Sequence, residues 1–450
     1  MPDLRKVAKF GGTSMADANA MRRCASIIKA DPDKKIIVVS ATAGTTNLLT
    51  ELISAQTEDE RKELSAIIKE KHLAILSELK NPEAVEDEVS NLLEELDIIA
   101  SRTQIMTMML KDEILSFGER LSSRIFTQLL GEESGEEITW LDARRVIITD
   151  NNYGSAEPDI SAISEKTSEL VEPLIETGRI VTQGFIGSEK NGATTTLGRG
   201  GSDYSAALFA EAADADVLEI WTDVTAIYTT DPRIVPAARP ITEISFSEAS
   251  ELSVFGAKVL HPATVVPAIR KNIRVYVGSS IEPDKPGTWI VKVAKDKPVI
   301  RAISLRKNQT LLTVHSLDML HRHGYLARLF QVLSDHKISV DLVTTSEVSV
   351  ALTLDSDIHA SGKQKLNDEI LSELREFAEV EIESNLSLIA LVGNNLDATA
   401  GLSGPVFGAL ENVNIRMICH GASSHNLCFL VAEDKATDVI NVLHDKFIKP

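Results

Sequence analysis

Short apolar runs alternate with helix-period stretches through the first three hundred residues. Val7, Ala8 and Phe10 make a strand-like run that closes on Gly11-Gly12-Thr13-Ser14. Met21, Cys24, Ile27 and Ile28 then recur at helical spacing, so the segment reads strand, glycine turn, helix. Residues 35–40 read as a strand of fully buried type, followed by a helix over 48–56. From 57 to 130 the pattern is mostly helical and strongly charged, broken at Asn81-Pro82. Strand-like runs return at 179–185, 215–221 and 273–277. Strands interleaved with helices predict an α/β layered domain with a mostly parallel sheet. Its ligands are expected at the carboxyl ends of the strands.

Proline, glycine and lysine punctuate residues 282–298, which marks a domain boundary. Beyond it the chain repeats itself at a constant offset of 77 residues. Leu311-Leu312-Thr313-Val314 meets Leu388-Ile389-Ala390-Leu391, Gly324 meets Gly401, Phe330 meets Phe407, and Ser346 meets Ser423. A gapless offset indicates two copies of one unit. Each copy reads as a βαββαβ-type α+β module. The expected division is 1–292 for the layered domain, 299–385 for the first module and 386–450 for the second.

Size and charge narrow the field. A chain of 450 residues exceeds one compact core, and 43% apolar content supports ordinary globular domains. The formal net charge of −20 argues against nucleic acid and anionic membrane surfaces as partners. It leaves anionic small substrates open, because local cations dominate over a few ångströms. Cys24, Cys419 and Cys428 form neither a Cys-x-x-Cys pair nor an even set, so free thiols are expected and a zinc site is not. With no apolar stretch of signal-peptide or membrane-span length, the cytoplasm is the expected location.

Four segments carry chemistry. Lys9 beside the N–H groups of Gly11 and Gly12 suits a phosphate at a helix N-terminus, although the spacing is not that of Walker A. The turn also fits a tight connection with a surface lysine. In the second segment, residues 194–205, Arg199 offers a planar fork for a carboxylate or phosphate. There Ser202 or Asp203 can cap the helix expected over 206–213. The third joins Thr222-Asp223 at a strand end to Tyr228 and Asp231-Pro232-Arg233. An aspartate there orients a lysine or a nucleotide edge, and Arg233 meets phosphate, although Asp-Pro-Arg is also turn chemistry. The fourth contains Lys258, either phosphate-facing or solvated, and His261, read as a structural hydrogen-bonder. Glu119, placed in a first helical turn, compensates a helix dipole unless the ligand carries an ammonium group.

The motifs KFGGTS, SATAGTTNLL, SFGERLS, TTTLGRGGSD, WTDV with YTTDPR, and FGAKVLHP occur in that order. Together they resemble the aspartokinases, of the amino-acid kinase fold, along nearly the whole chain. The repeats resemble that family's ACT domains. Ser339-Val340-Asp341 and residues 345–349 look most like the monofunctional, lysine-sensitive class, and no fused dehydrogenase is expected. The resemblance implies transfer of a phosphoryl group from ATP to L-aspartate, giving 4-phospho-L-aspartate, the first step toward lysine, threonine and methionine. A carboxylate nucleophile has a reference pKa of ~3.9 and needs no general base. Catalysis then reduces to positioning two anions and neutralising charge.

By that resemblance Lys9 stabilises the transferring phosphate, with Gly11 and Gly12 as backbone donors and Asp203 orienting Lys9. Arg199 grips a substrate carboxylate and Glu119 takes the ammonium. Ser40, Thr46 and Ser202 complete the pocket. Thr222, Asp223, Tyr228, Arg233 and Lys258 hold the nucleotide. Mg²⁺ is expected on the ATP phosphates, through water and phosphate oxygens.

ACT modules of this family pair between subunits and bind an amino acid where they pair. At least a homodimer is therefore implied, with L-lysine as the expected effector. Met319, Arg322, Gly324, Tyr325 and Leu326 match the effector loop, and Ser339, Val340, Asp341, Ser346 and Glu347 the rest of the site. Asp341 is the expected partner of the effector's ammonium, while Val340 also fits strand packing. The family loop reads His-Ser-Arg-Gly-Phe-Leu where this chain has His-Arg-His-Gly-Tyr-Leu. Arg322 in place of a small serine implies weaker lysine affinity or another effector. Two alternatives stand beside this reading: an acetylglutamate or glutamate kinase, opposed by Glu119, Arg199 and the ACT pair, and a silent amino-acid sensor, opposed by intact Lys9, Arg199 and Asp203.

Overall fold

The computed structural model describes residues 4–101, 106–256, 262–320, 323–355 and 366–448. Lys258, His261 and Arg322 lie outside the described residues. The chain divides into two compact units. The first comprises Met1–Ile227, Pro240–Phe246 and Lys258–Ala294, and the second Tyr228–Arg239, Ser247–Ala257 and Lys295–Pro450. No described helix is long and apolar enough to cross a membrane.

An eight-stranded sheet forms the first unit's centre. Its strands are β1 (Lys6–Phe10), β2 (Lys34–Val39), β3 (Ile138–Leu141), β4 (Arg179–Gln183), β5 (Val217–Thr222), β6 (Glu243–Ser245), β7 (Arg274–Ser279) and β8 (Thr288–Val291). They run in the order β3-β4-β2-β1-β5-β7-β8-β6. All neighbours are parallel except β7 and β8, so the expected mostly parallel sheet is present. The middle strands are covered on both faces, which is why they read as unbroken apolar runs. Phe10 stacks on Trp221 at 6.3 Å and tilts against Phe126 at 6.4 Å, tying β1 to β5 and to the helical layer.

The helices that matter are α1 (Ala18–Lys29), α2 (Thr45–Ser54), α3 (Glu58–Ser77), α4 (Glu86–Ser101), α5 (Met108–Ser134) and α6 (Gly201–Ala212). The break expected at Asn81-Pro82 falls between α3 and α4, where Pro82–Ala84 forms a 3₁₀ turn. Three expectations need correction. The glycine turn does not feed α1 directly: a 3₁₀ turn, Gly12–Met15, intervenes, and α1 is capped by Asp17, whose carboxylate accepts from the Ala20 N–H at 2.8 Å. The helix expected over 206–213 starts at Gly201, with Gly200 at the cap and no side-chain cap from Ser202 or Asp203. Glu119 stands in the middle of the 27-residue α5, far from its first turn. A small three-stranded sheet, Ile148–Thr149, Ile186–Glu189 and Thr194–Thr196, adds to the expected elements; its strands are too short to show a period in the sequence.

The second unit is built on a six-stranded antiparallel sheet. Its strands are β9 (Ile300–His315), β10 (Val343–Thr345), β11 (Ser349–Asp355), β12 (Glu379–Gly393), β13 (Met417–His420) and β14 (Asn426–Ala432), in the order β10-β11-β9-β12-β14-β13. The repeat is visible in its helices, Tyr325–Asp335 and Asp368–Arg375 in one copy, Ser403–Gly408 and Glu433–Phe447 in the other. Two long strands run through both copies. Leu311 of β9 faces Glu383, whereas Ile303 faces Leu391, so residues 300–306 supply the second copy's outer strand. The division expected at 385/386 therefore falls inside β12. Residues 228–239 and 247–257 join this unit through local bonds. The Ile303 N–H donates to the Thr229 carbonyl at 2.8 Å. Arg301 Nε and Asn394 Nδ2 reach the fully buried Glu248 at 2.5 and 2.8 Å.

Candidate active site

Strand ends converge on one cleft at the carboxyl edge of the first unit's sheet. Lys9 lies on the central strand β1, opposite Val38 of β2 and Ile220 of β5. Its ammonium pairs with the carboxylate of Asp203 from the first turn of α6, and both side chains are mostly buried. The cleft, of about 380 Å³, is lined by Lys9, Gly12, Ser40, Thr46, Glu119, Arg199, Ser202 and Asp203, together with residues 41–44 and Phe185. Residues as distant in the chain as Lys9 and Asp203, each singled out by the sequence, are thus brought into one site.

Two helices begin in this cleft without a side-chain cap. Gly44 precedes α2 at φ 78° and Gly200 precedes α6 at φ 74°, conformations that glycine adopts without strain. The Thr45 and Gly201 N–H groups are turned back onto the Thr42 and Gly198 carbonyls at 2.9 and 3.0 Å, while Gly44, Thr46, Gly200 and Gly201 line the cleft, so what the two helix starts bring to it is the positive end of each helix dipole. Asp17 occupies the start of α1, so the uncapped helix starts that border the cleft are those of α2 and α6.

Glu119 is the buried carboxylate of the site. Its Oε1 accepts from the Ala41 N–H at 3.1 Å, and its Oε2 has no hydrogen-bond partner. Burial pushes its pKa up to about 8, against the opposing effects of the Ala41 N–H and Lys9. The close approach depends on Gly118: a Cβ there would sit 2.8 Å from the Ala41 Cβ. Ser122, one turn further on, donates to the Ser40 carbonyl at 2.7 Å and fixes the loop after β2. Arg199 is exposed and has no ion pair or hydrogen bond among the described residues. One buried carboxylate with a partnerless oxygen and one uncommitted guanidinium thus share a cleft with a lysine. That set can hold an ammonium, a carboxylate and a phosphoryl group at once.

Other assigned residues lie elsewhere. Thr222 ends β5 and the exposed Asp223 follows it, and Thr222 Oγ1 donates to Asp223 at 3.1 Å. The adjoining Ser280 donates to the Thr222 carbonyl and bonds Ser14 Oγ at 2.7 Å. Tyr228 and Arg233 fall in the second unit. Arg233 is exposed and forked on Asp231, with contacts of 3.0 and 2.7 Å.

Sequence reasoning missed residues that only tertiary structure delivers. Lys71 on α3 donates to the Ala43 carbonyl, and burial lowers its pKa. His72 lies 3.4 Å from the Thr42 hydroxyl, pushed down to about 4 by burial, so its ring is neutral. Phe185 holds φ 68° at the cleft wall, and the Gly184-Phe185 pair at the end of a buried strand was the available signal.

In the second unit, Ser346 and Glu347 occupy the turn between β10 and β11, beside His315 and the Met319 loop. The loop ends at Gly324, φ 85°, which precedes the helix carrying Tyr325 and the exposed Leu326. Ser339 is exposed and Val340 half-buried. The Asp341 N–H donates to the Thr353 carbonyl, four residues along β11 from Ser349, roughly 13 Å at strand rise. The Asp341 carboxylate already lies 3.3 Å from Arg306. At the second copy's counterpart of Ser346, Ser423 donates to Glu251 Oε1 at 2.6 Å, and Asn426 donates to Oε2 at 2.6 Å.

Comparison with known proteins agrees with this geometry. The amino acid kinase family matches residues 5–279 and an ACT domain matches residues 389–447. The lysine-sensitive aspartokinase 3 of Escherichia coli (strain K12) is 49% identical over 445 residues, covering 98% of this chain and 99% of that one. The crystal structure of E. coli aspartokinase III with aspartate and ADP, in its R-state, matches with a TM-score of 0.90 at 48% identity, covering 99% of this chain and 100% of that one. The complex of that enzyme with lysine and aspartate, in its T-state, gives a TM-score of 0.85 at 48% identity, covering 98% and 99%.

Proposed function

Because this chain belongs to the aspartokinases of the amino acid kinase family, we propose that its cleft transfers the γ-phosphoryl group of ATP to the side-chain carboxylate of L-aspartate. The observation that carries the reading is the joint presence of Lys9 on Asp203, the partnerless Oε2 of Glu119 and the uncommitted Arg199 in one cleft. Glu119 takes the ammonium of aspartate and Arg199 a carboxylate, with Ser40, Thr46 and Ser202 lining the space between. The acceptor carboxylate is already ionised, so no side chain has to remove a proton from it. Lys9, oriented by Asp203, meets the negative charge of the transferring group; of the two glycines expected as backbone donors, Gly11 already gives its N–H to the Trp221 carbonyl at 3.1 Å, and Gly12, which lines the cleft, keeps the role. The uncapped starts of α2 and α6 add to this field.

Thr222, Asp223, Tyr228, Arg233 and Lys258 are assigned to the nucleotide by family resemblance. Mg²⁺ fits as an ion carried by ATP phosphates and water, because Asp203 is committed to Lys9 and Glu119 is assigned to the substrate ammonium. The unpaired thiols Cys24, Cys419 and Cys428 suit the cytoplasm. Residues 1–292 are read as the catalytic part, 299–385 and 386–450 as the ACT-type modules. L-lysine is read as the feedback effector, bound at the first module. The docking of Glu251 on Ser423 and Asn426 supports this, since it fills the second module's counterpart position. A homodimer through these modules is supported by the exposed β10 and by Leu317, Leu326 and Val343 at the surface.

Hydroxylamine trapping of an acyl phosphate tests the central reading. L-Aspartate with ATP is expected to give the hydroxamate. Hydroxamate from glutamate or acetylglutamate, and none from aspartate, would overturn it.

A further inference from the structure

Asp112 is a buried carboxylate that the phosphoryl-transfer reading leaves without a role. It stands one turn into α5, is 1% exposed, and sits seven residues before Glu119 on the same helix. Seven residues are two turns, so both project from one face, roughly 10 Å apart along the axis. Oδ2 of Asp112 accepts from the Gly154 N–H at 2.9 Å and from the Thr196 N–H at 2.8 Å. Oδ1 accepts from the Thr196 hydroxyl at 2.9 Å.

Those two partners bracket the turn that carries Arg199. Thr196 ends its short strand three residues before Arg199. Gly154 abuts the same turn from the other side: a Cβ on Gly198 would lie 3.1 Å from the Gly154 carbonyl oxygen. The Ala156 N–H bonds the Thr196 carbonyl at 2.9 Å and closes the second side of that strand end. Arg199 itself has no partner among the described residues, so its position follows from the backbone of this turn alone.

We propose that Asp112 is the positioning residue for Arg199, so that α5 sets both ends of the amino-acid pocket: Glu119 directly, and Arg199 through Asp112, Thr196 and Gly154. The inference rests on the reading that Arg199 grips a carboxylate of the substrate. Fixing both groups from one rigid helix sets the span between ammonium and carboxylate that the pocket accepts.

Steady-state kinetics of Asp112→Ala, Thr196→Val, Arg199→Ala and the Asp112→Ala/Arg199→Ala double variant test it, with KM for L-aspartate and for ATP measured separately. Asp112→Ala is expected to raise the aspartate KM about tenfold while the ATP KM stays within about twofold. Thr196→Val, which keeps the N–H and loses only the hydroxyl, shifts the aspartate KM in the same direction by less. Asp112→Asn retains an acceptor for both N–H groups and restores near wild-type values. In the Arg199→Ala background, Asp112→Ala is expected to add nothing to the aspartate KM, because both act through one guanidinium.

Additive effects, a parallel rise of both KM values, or an unchanged aspartate KM in Thr196→Val and Asp112→Ala would overturn the proposal. If Asp112→Ala does not fold, Thr196→Val alone and paired with Arg199→Ala tests the same coupling. An unchanged aspartate KM in Arg199→Ala would instead remove the carboxylate-gripping role on which the inference stands.

Discussion

Asp203, in the first turn of α6, holds the ammonium of Lys9 at the carboxyl end of β1, joining the central strand to the helix that follows the Arg199 turn. The pair is mostly buried, so each charge depends on the other for its solvation. Lys9→Ala is expected to lower kcat by about 10²–10³, the usual loss for one transition-state donor. It also leaves a buried carboxylate alone, at a cost of about 3–5 kcal/mol. The Lys9→Ala/Asp203→Ala double variant should therefore be no faster than Lys9→Ala but more heat-stable. Hydroxamate rates and thermal melts of the three proteins check this, and a near wild-type kcat in Lys9→Ala would remove the lysine from the mechanism.

Glu119 favours binding at the expense of stability. Burial raises its pKa to about 8, so without ligand it is mostly protonated at neutral pH, whereas an ammonium group binds its ionised form. The aspartate KM should fall as pH rises toward 8 and level off above it. In Glu119→Gln that slope should vanish and KM should rise about 10–100-fold, the loss of a charged hydrogen bond. The stability sign is opposite. A carboxyl whose folded pKa lies above its unfolded value of ~4.3 imposes no penalty below that value and a growing one up to its folded pKa. Glu119→Gln should therefore melt higher than wild type at pH 8 and equal to it near pH 4. A lower melting temperature at pH 8 would show that the carboxylate is satisfied in the free protein.

The same residues show what the sequence could and could not carry. Lys9 and Arg199 stood out because each charge sits beside a glycine turn, although such a turn also fits a plain tight connection; Asp203 read as a helix cap, and its place beside Lys9 came only from the family resemblance. Glu119 was legible as a residue but not as a position. The start of α5 at Met108 is hidden in a long charged helical stretch, so a mid-helix carboxylate looked like a first-turn one. Lys71 and His72 were invisible, since only the packing of α3 brings them to the loop over 41–44. The 77-residue repeat was plain, but the exchange of residues 300–306 into the second copy's sheet was not, because strand partners are a tertiary property. Likewise Thr229 sits in a stretch that reads as part of the layered domain, yet it belongs to the second unit, where its carbonyl pairs with Ile303.

Gly118→Ala separates helix propensity from site geometry. Alanine in mid-helix is ordinarily favoured over glycine by about 1 kcal/mol. Here the new Cβ would meet the Ala41 Cβ at 2.8 Å, contact that neither backbone can relieve without moving. The variant should be destabilised by about 1–3 kcal/mol, as overpacked cores are. Its aspartate KM should rise with Glu119 displaced from the loop. Circular dichroism melts and steady-state kinetics decide it, and a stabilised, fully active variant would show that the contact between α5 and the loop is loose.

Regulation can be divided between the two repeats by three substitutions. In the first copy Asp341 is the carboxylate assigned to the effector's ammonium, and it already faces Arg306 at 3.3 Å. An arriving lysine therefore joins an existing pair and has to supply more than charge alone. In the second copy the counterpart of Ser346, Ser423, is engaged by Glu251. Asp341→Ala should therefore weaken inhibition by L-lysine about 10–100-fold, the range for losing one charged hydrogen bond. Ser423→Ala should leave the lysine dose-response within about twofold, since changes away from a ligand are small. Arg322→Ser, restoring the small residue of the family loop, should strengthen inhibition by removing a like charge beside a cationic effector. Inhibition curves at fixed aspartate and ATP measure all three. Loss of inhibition in Ser423→Ala with none in Asp341→Ala would move the effector to the second copy. No gain in Arg322→Ser would mean that this arginine points away from the bound lysine.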